Sequence, residues 1–398
     1  MPIYHTLGSV PKKRHTVFRR PDGGLYAEEL MGHEGFVGTS SLLYHTYPPT
    51  TVKSAKKIRE MRWEADDDTS LRHRHFLTAR AKKGGSPTLN RIPLLFNSDI
   101  AMLYVEPDEI DAHFYRNSQA DEVAYVVEGS GVLESVYGDL PYVAGDYVVI
   151  HRNITHRWKL DTAPPNKTKL LIFESRGHVR WPKRYRNEFG QLLEGAPFSE
   201  RDIRRPIELR PHDEKGDFRI LVKQYDALNE LILDHHPFDV VGWDGYFYPW
   251  IFSIHDFEPI VGRIHQPPPV HQTFQGDGFV ICSFCPRPYD FDPQAVPAPY
   301  NHSNVDSDEV LFYASSEFMS RKGIEYGSVT HHPDGLPHGP HPGRAEASIG
   351  AKFTNELAVM MDSFRPLKVA KPALAFEDPK YHKSWVDAQH ETFNPPTS

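Results

Sequence analysis

The feature that most constrains this chain is an internal echo. Residues 117–123 read NSQADEV and residues 304–310 read NVDSDEV, and an apolar run follows each, AYVVEG and LFYASS. Downstream, each block closes on a strand-like run that ends in histidine: GDYVVIHRNITH at 145–156 and GSVTHHPDGLPH at 327–338. An acidic pair leading an apolar run, repeated with the same sequel, implies two copies of one small barrel. Short runs such as PLLFNSDIAMLYVEP, TKLLIFES, GFVICSFCP and ELAVMMDSF are rich in branched and aromatic residues and broken by Gly, Asp and Pro, which predicts an all-β chain. Proline points the same way. There are 35 in 398 residues, and proline is excluded from helix interiors and central strands.

The chain divides on this reading into three parts. Residues 1–90 form an N-terminal β-rich and connector segment. Residues 91–235 form a first barrel with its connector, and residues 236–398 a second barrel with a Pro-rich tail. The charged stretch at 56–83 is expected to be a partly helical connector, and 178–235 a loop and connector.

Composition excludes several function classes. A net charge of −8 gives no basic field for nucleic acid, and Lys12, Lys13, Arg14, Arg19 and Arg20 read as a solvated face. No run reaches the roughly 18 apolar residues of a membrane span, and the N-terminus has no secretory pattern. Two cysteines rule out a disulfide framework and fit the reducing cytoplasm. Cys282 and Cys285 lie on a strand-like run, three apart, and read as buried apolar residues.

Chemistry is expected in the second copy. His302, Glu309 and His338 are two imidazoles and a carboxylate, the ligand set of a facial triad that leaves positions on Fe(II) open for substrate and O2. Asp306 and Asp308 compete with Glu309, and His331, His332 and His341 compete with His338. Glu309 is favoured because it opens the apolar strand. In the first copy Glu122 and His156 occupy the echoing positions, but Tyr115 stands where His302 would, so that copy is expected to be metal-free; His113 and His151 remain as further imidazoles. His265 precedes Pro267, Pro268 and Pro269, which stiffen the backbone beside it, and a rigidly held imidazole suits a general base.

At these residues the sequence resembles the homogentisate 1,2-dioxygenases. The resemblance rests on PFDVVGW at 237–243, GYFYP at 245–249, PYNH at 299–302 with Glu309, LPHGP at 336–340 and YHKSW at 381–385. It is strong over 235–398, weaker over 95–175 and slight before residue 90. It implies a bicupin of two double-stranded β-helix (jelly-roll) barrels. It also implies Fe(II) on His302, Glu309 and His338, His265 as catalytic base, His332 and His338 at the substrate, and a trimer or hexamer. The implied reaction is the opening of homogentisate by O2 to maleylacetoacetate in tyrosine and phenylalanine catabolism. Two departures stand out. His302 and Glu309 are one residue farther apart than in that family. Phe318 falls where the family has a substrate-contacting Tyr, which removes a hydrogen bond worth about 1 kcal/mol. The alternatives are a dioxygenase of a related hydroxylated aromatic acid such as gentisate, a metal-dependent isomerase, and a ligand-binding bicupin without catalysis.

Overall fold

In a computed structural model, residues 3–163, 167–263, 268–315, 318, 320–321 and 323–387 are described. The chain forms two compact units. One comprises Met1–Arg62, Lys83–Arg91 and Leu103–Ser253, and the other Trp63–Lys82, Ile92–Met102 and Ile254–Ser398.

The first unit is organised around the Asp121–Glu128 strand. It pairs antiparallel with Asp146–Ile150 on one side and Lys169–Ser175 on the other. Its first six residues are all buried, as a central strand covered on both faces requires. A second sheet of the unit runs Gly138–Val143, Ser130–Ser135, His156–Leu160, Phe114–Asn117, Lys215–Gln224, Ala227–His235 and Val52–Glu60. A third holds His5–Gly8, Val240–Gly245, Ser40–His45 and Ala27–Gly32.

The second unit repeats the central motif. The Asp308–Tyr313 strand, wholly buried, pairs antiparallel with Ser328–His332 and with Ala358–Ser363. Registers match between the copies. Asp121 faces Ser175 and Glu122 faces Glu174, while Asp308 faces Ser363 and Glu309 faces Asp362. Tyr115 bridges His156, and His302 bridges His338. The echo in the sequence is therefore a duplicated fold, and the chain is an all-β bicupin.

Two expectations are corrected. Residues 56–83 do not form a helical connector. Val52–Glu60 is a nine-residue strand with every residue exposed, and Arg74–Leu77 is a buried strand. Val52–Glu60 pairs with Ala227–His235 and is the last strand of its sheet. Its Lys53, Lys56, Lys57 and Arg59 suit an edge, where charge opposes pairing with another chain. Residues 178–235 are likewise not all connector. Lys215–Gln224 and Ala227–His235 form a hairpin across Tyr225 and Asp226, both at positive φ (56° and 51°), the backbone of a tight two-residue turn. Cys282 and Cys285 are buried, and burial raises the Cys285 thiol to about 11.

Candidate metal centre

The site forms where two loops meet the start of the central strand of the second unit. His302 and His338 exchange both backbone hydrogen bonds (2.8 and 2.9 Å), which locks the PYNH loop onto the LPHGP loop. Glycine is required beside this lock. A Cβ at Gly339 would fall 2.1 Å from Asn301 Oδ1 and 2.7 Å from Asn301 Cα. Glu309 is the second residue of the strand, so alternation turns it to the opposite face from Asp308.

That alternation separates the two acidic candidates. Asp308 accepts from His331 Nε2 (3.0 Å) and from the backbone N–H groups of Asp334 (2.9 Å) and Leu367 (2.7 Å). Glu309 faces imidazoles instead. It lies 3.4 Å from His302 Nε2, 3.1 Å from His338 Nε2 and 2.8 Å from His332 Nδ1. Ligand atoms of His302, Glu309 and His338 all fall within 4.8 Å of one another. His341 is turned to Ser384 Oγ (2.9 Å).

The ring tautomers bear on what this cluster holds. His302 Nδ1 donates to the Tyr300 carbonyl (3.2 Å) and His338 Nδ1 to the Leu336 carbonyl (3.5 Å). Each neutral ring then presents a lone pair on Nε2 toward a carboxylate. Lone pairs facing a carboxylate repel unless a proton or a cation stands between them. The buried His338 Nε2 has no hydrogen-bond partner despite its 3.1 Å approach to Glu309. Backbone carbonyls holding the far nitrogen are also the usual support of a metal-bound imidazole. The donor set fits a divalent transition ion.

Electrostatics agree with a site short of positive charge. Burial works to raise the Glu309 carboxyl, and the imidazoles of His302, His332 and His338 around it hold it well below its usual range. The Glu309 carboxylate beside it in turn raises His302. Asp362, across the sheet from Glu309, is pushed up to about 8 by burial and then by the Glu309 charge. His332 is fully buried and stacks on His338 (centroids 4.5 Å apart). Its Nε2 accepts from Tyr381 Oη at 3.4 Å.

A cavity of about 410 Å³ opens beside the cluster. His302 and Glu309 line it together with Phe284, Leu311, Phe318, Met360 and Arg321. Phe318 meets Tyr313 edge to face at 4.7 Å. Arg321 lies over the Trp385 ring at 5.0 Å, and its Nε is buried without a partner. His271 also lines the cavity, stacked on Phe284 at 4.4 Å, and burial pushes it down to about 3. His265 lies outside the described residues.

Sequence reasoning missed Arg321 and Asp362. Arg321 carries no local signal. Asp362 carries one, because an acidic residue inside the apolar run ELAVMMDSF is costly to bury without a reason.

The first copy differs at the equivalent place. Glu122 meets Arg91 Nη1 at 2.8 Å and Asn117 Nδ2 at 2.9 Å. Arg91 also reaches Glu174 (3.4 Å), which is paired with Lys223. Burial works to raise Glu122, and the Arg91 guanidinium overrides it and brings it to about 2.

Comparisons with known proteins identify the family of this chain. The model of the family described as "Homogentisate 1,2-dioxygenase N-terminal" matches residues 6–254, so the likeness extends well before residue 90. A candidate dioxygenase of Saccharolobus solfataricus is 41% identical over 388 residues, covering 97% of this chain and 99% of that protein. The homogentisate 1,2-dioxygenase of Emericella nidulans is 22% identical over 93% of this chain and 84% of its own length. Among solved structures, a cupin 2 conserved barrel domain protein from Leptotrichia buccalis aligns with 75% of this chain and 99% of its own at 10% identity, with a TM-score of 0.34. The chain belongs to the homogentisate 1,2-dioxygenase family of dioxygenases.

Proposed function

We propose that this chain is an Fe(II)-dependent ring-cleaving dioxygenase that converts homogentisate and O2 to maleylacetoacetate. One observation carries the reading: two imidazole Nε2 atoms and one carboxylate converge at the edge of a largely apolar cavity, with a partnerless nitrogen among them. His302, Glu309 and His338 would hold the metal. The chemistry iron supplies when bound is the activation of O2 toward a closed-shell ring.

The chain's own groups do the rest. The Tyr300 and Leu336 carbonyls keep the proton of each ligand imidazole on Nδ1. His332, anchored by Tyr381, orients Glu309 through one oxygen. Phe284, Leu311, Phe318 and Met360 exclude water around the ring. Arg321 offers a fork of donors to the substrate carboxylate. His265 takes the phenolic proton. The family resemblance adds assembly as a trimer or hexamer, which light scattering would count.

The test is metal-stripped chain reloaded anaerobically with Fe(II) or Zn(II) and offered homogentisate, gentisate and related acids. Oxygen uptake with iron and homogentisate supports the reading. Uptake with gentisate alone moves the function to the neighbouring substrate, a change that Phe318 makes plausible by removing a hydroxyl. Turnover of a non-oxidative kind with zinc, and no uptake with iron, contradicts it.

A further inference from the structure

A second group of potential ligands lies in the first unit, away from the Glu122 position. His33, Asp121, His151 and His178 place ligand atoms within 4.8 Å of one another. Strand register assembles three of them. Asp121 opens the central strand and faces Ser175, at the end of Lys169–Ser175, three residues before His178. Glu122 faces Ile150, the last residue of Asp146–Ile150, so the next residue, His151, emerges beside Asp121. His33 comes from the end of Ala27–Gly32 and precedes the turn at Glu34–Phe36.

The carboxylate is the hub. Asp121 is fully buried, and its Oδ2 lies 2.8 Å from His151 Nδ1, 2.9 Å from His178 Nδ1 and 3.0 Å from the Val179 amide. Its Oδ1 accepts from the Arg152 amide (2.9 Å), with the Arg152 guanidinium at 3.7 Å. Neighbouring ligands on a tetrahedral ion with bonds near 2.1 Å sit about 3.4 Å apart, so seating an ion needs His151 and His178 to move only about half an ångström from Asp121. The rings pack closely, with His33 to His178 centroids 3.7 Å apart and His151 to His178 4.6 Å. His33 is 8% exposed, and its Nε2 is buried without a partner. Burial keeps His33 and His178 neutral, pushing them down to about 2 and about 4, and a neutral imidazole is the form that binds metal.

The duplicated fold supplies a control. Asp308 is the counterpart of Asp121, and it too gathers backbone amides and one imidazole, His331. One imidazole, His331, suffices there, and its Nδ1 is likewise buried without a partner. Asp121 has three around it, and the additional nitrogen of His33 serves no hydrogen bond.

We propose that His33, Asp121, His151 and His178 form a second metal site, selective for a divalent first-row transition ion such as zinc. Three imidazoles and one carboxylate suit that class. A cavity of about 440 Å³ lined by His33, His151 and His178 gives the ion a path to solvent. Ligation of His151 through Nδ1 moves its proton to Nε2. That nitrogen now accepts from Trp250 Nε1 at 3.2 Å, so loading removes this hydrogen bond and the indole reports it.

The experiment compares metal content in the full-length wild type, a His302→Ala/His338→Ala variant and a His33→Gln/His178→Gln variant after stripping and reloading with Zn(II). Circular dichroism and melting first establish that each variant is folded. The expected result is two equivalents of zinc in the wild type and one in each double variant. Zinc titration of the His302→Ala/His338→Ala variant should also change tryptophan fluorescence, and should not do so after Trp250→Phe. One equivalent in the wild type, lost entirely in His302→Ala/His338→Ala, overturns this site and leaves the proposed dioxygenase centre standing. If the glutamine variant does not fold, Asp121→Asn is measured instead, and a full two equivalents there overturns the proposal.

Discussion

Glu122 and Glu309 occupy the same register position in two copies of one strand motif, yet their surroundings are opposite. Glu122 is neutralised from within. Arg91 and Lys223 answer Glu122 and Glu174, and all four side chains are buried. Glu309 and its counterpart partner Asp362 have imidazoles for neighbours, and Asp362 retains its proton up to about 8. Yet His156 keeps the same support as His338, with Nδ1 on a carbonyl two residues back (3.0 Å to Ile154). The comparison teaches that one register position admits two ways of balancing a buried carboxylate. In the first copy Arg91 supplies the cation from the chain, and in the second imidazoles supply lone pairs that an ion would fill on the proposed function.

The largest expected effect breaks the comparison on the open side. His338→Ala should abolish iron retention and lower turnover by more than about 100-fold, while the melting temperature changes little; metal analysis and oxygen uptake read both. On the closed side, Arg91→Met strands two buried carboxylates beside a single lysine. Denaturant titration should show a loss of about 3–5 kcal/mol, with iron content unaffected. An equal loss of iron would mean that the copies are not separate in function.

Stability of the first unit also has a pH signature. His45 is buried between Asp239 (2.7 Å) and Glu29 (3.1 Å). Burial works to lower it, and those two hydrogen bonds overcome that and raise it to about 9. The folded chain thus holds this proton to a higher pH than the unfolded chain, whose imidazole releases it near 6.5. The contribution, about 3 kcal/mol, is fully present below pH 6.5 and disappears as pH rises to 9. His45→Gln should remove this dependence in melts at pH 6 and pH 9.5.

Smaller effects refine the open site. His332→Gln should weaken iron affinity by about 10- to 100-fold, because it releases one oxygen of Glu309; calorimetric titration with Fe(II) measures it. Phe318→Tyr adds one hydroxyl to the cavity wall and should change the homogentisate-to-gentisate preference by several-fold, the worth of about 1 kcal/mol.

Much of this was legible in the sequence, for local reasons. The repeated DEV motif marks the central strands because an acidic pair at the mouth of an apolar run has few other uses. Glu309 is favoured over Asp308 in the sequence because it leads the apolar run, and the strand turns the two to opposite faces. What stayed hidden depends on distance. Val52–Glu60 is charged enough to suggest a helical connector, and only its pairing with Ala227–His235 makes it a strand. Arg91 carries no sign of its partner Glu122, and His33 none of its approach to His178. His265, prominent in the sequence beside its proline run, lies outside the described residues.

The most direct test of the central claim is oxygen consumption by full-length chain loaded anaerobically with Fe(II) and then mixed with homogentisate. The account predicts one O2 taken up per homogentisate consumed, and none in the His338→Ala variant. Iron bound at His302, Glu309 and His338 with no uptake for homogentisate or a related hydroxylated aromatic acid would contradict it.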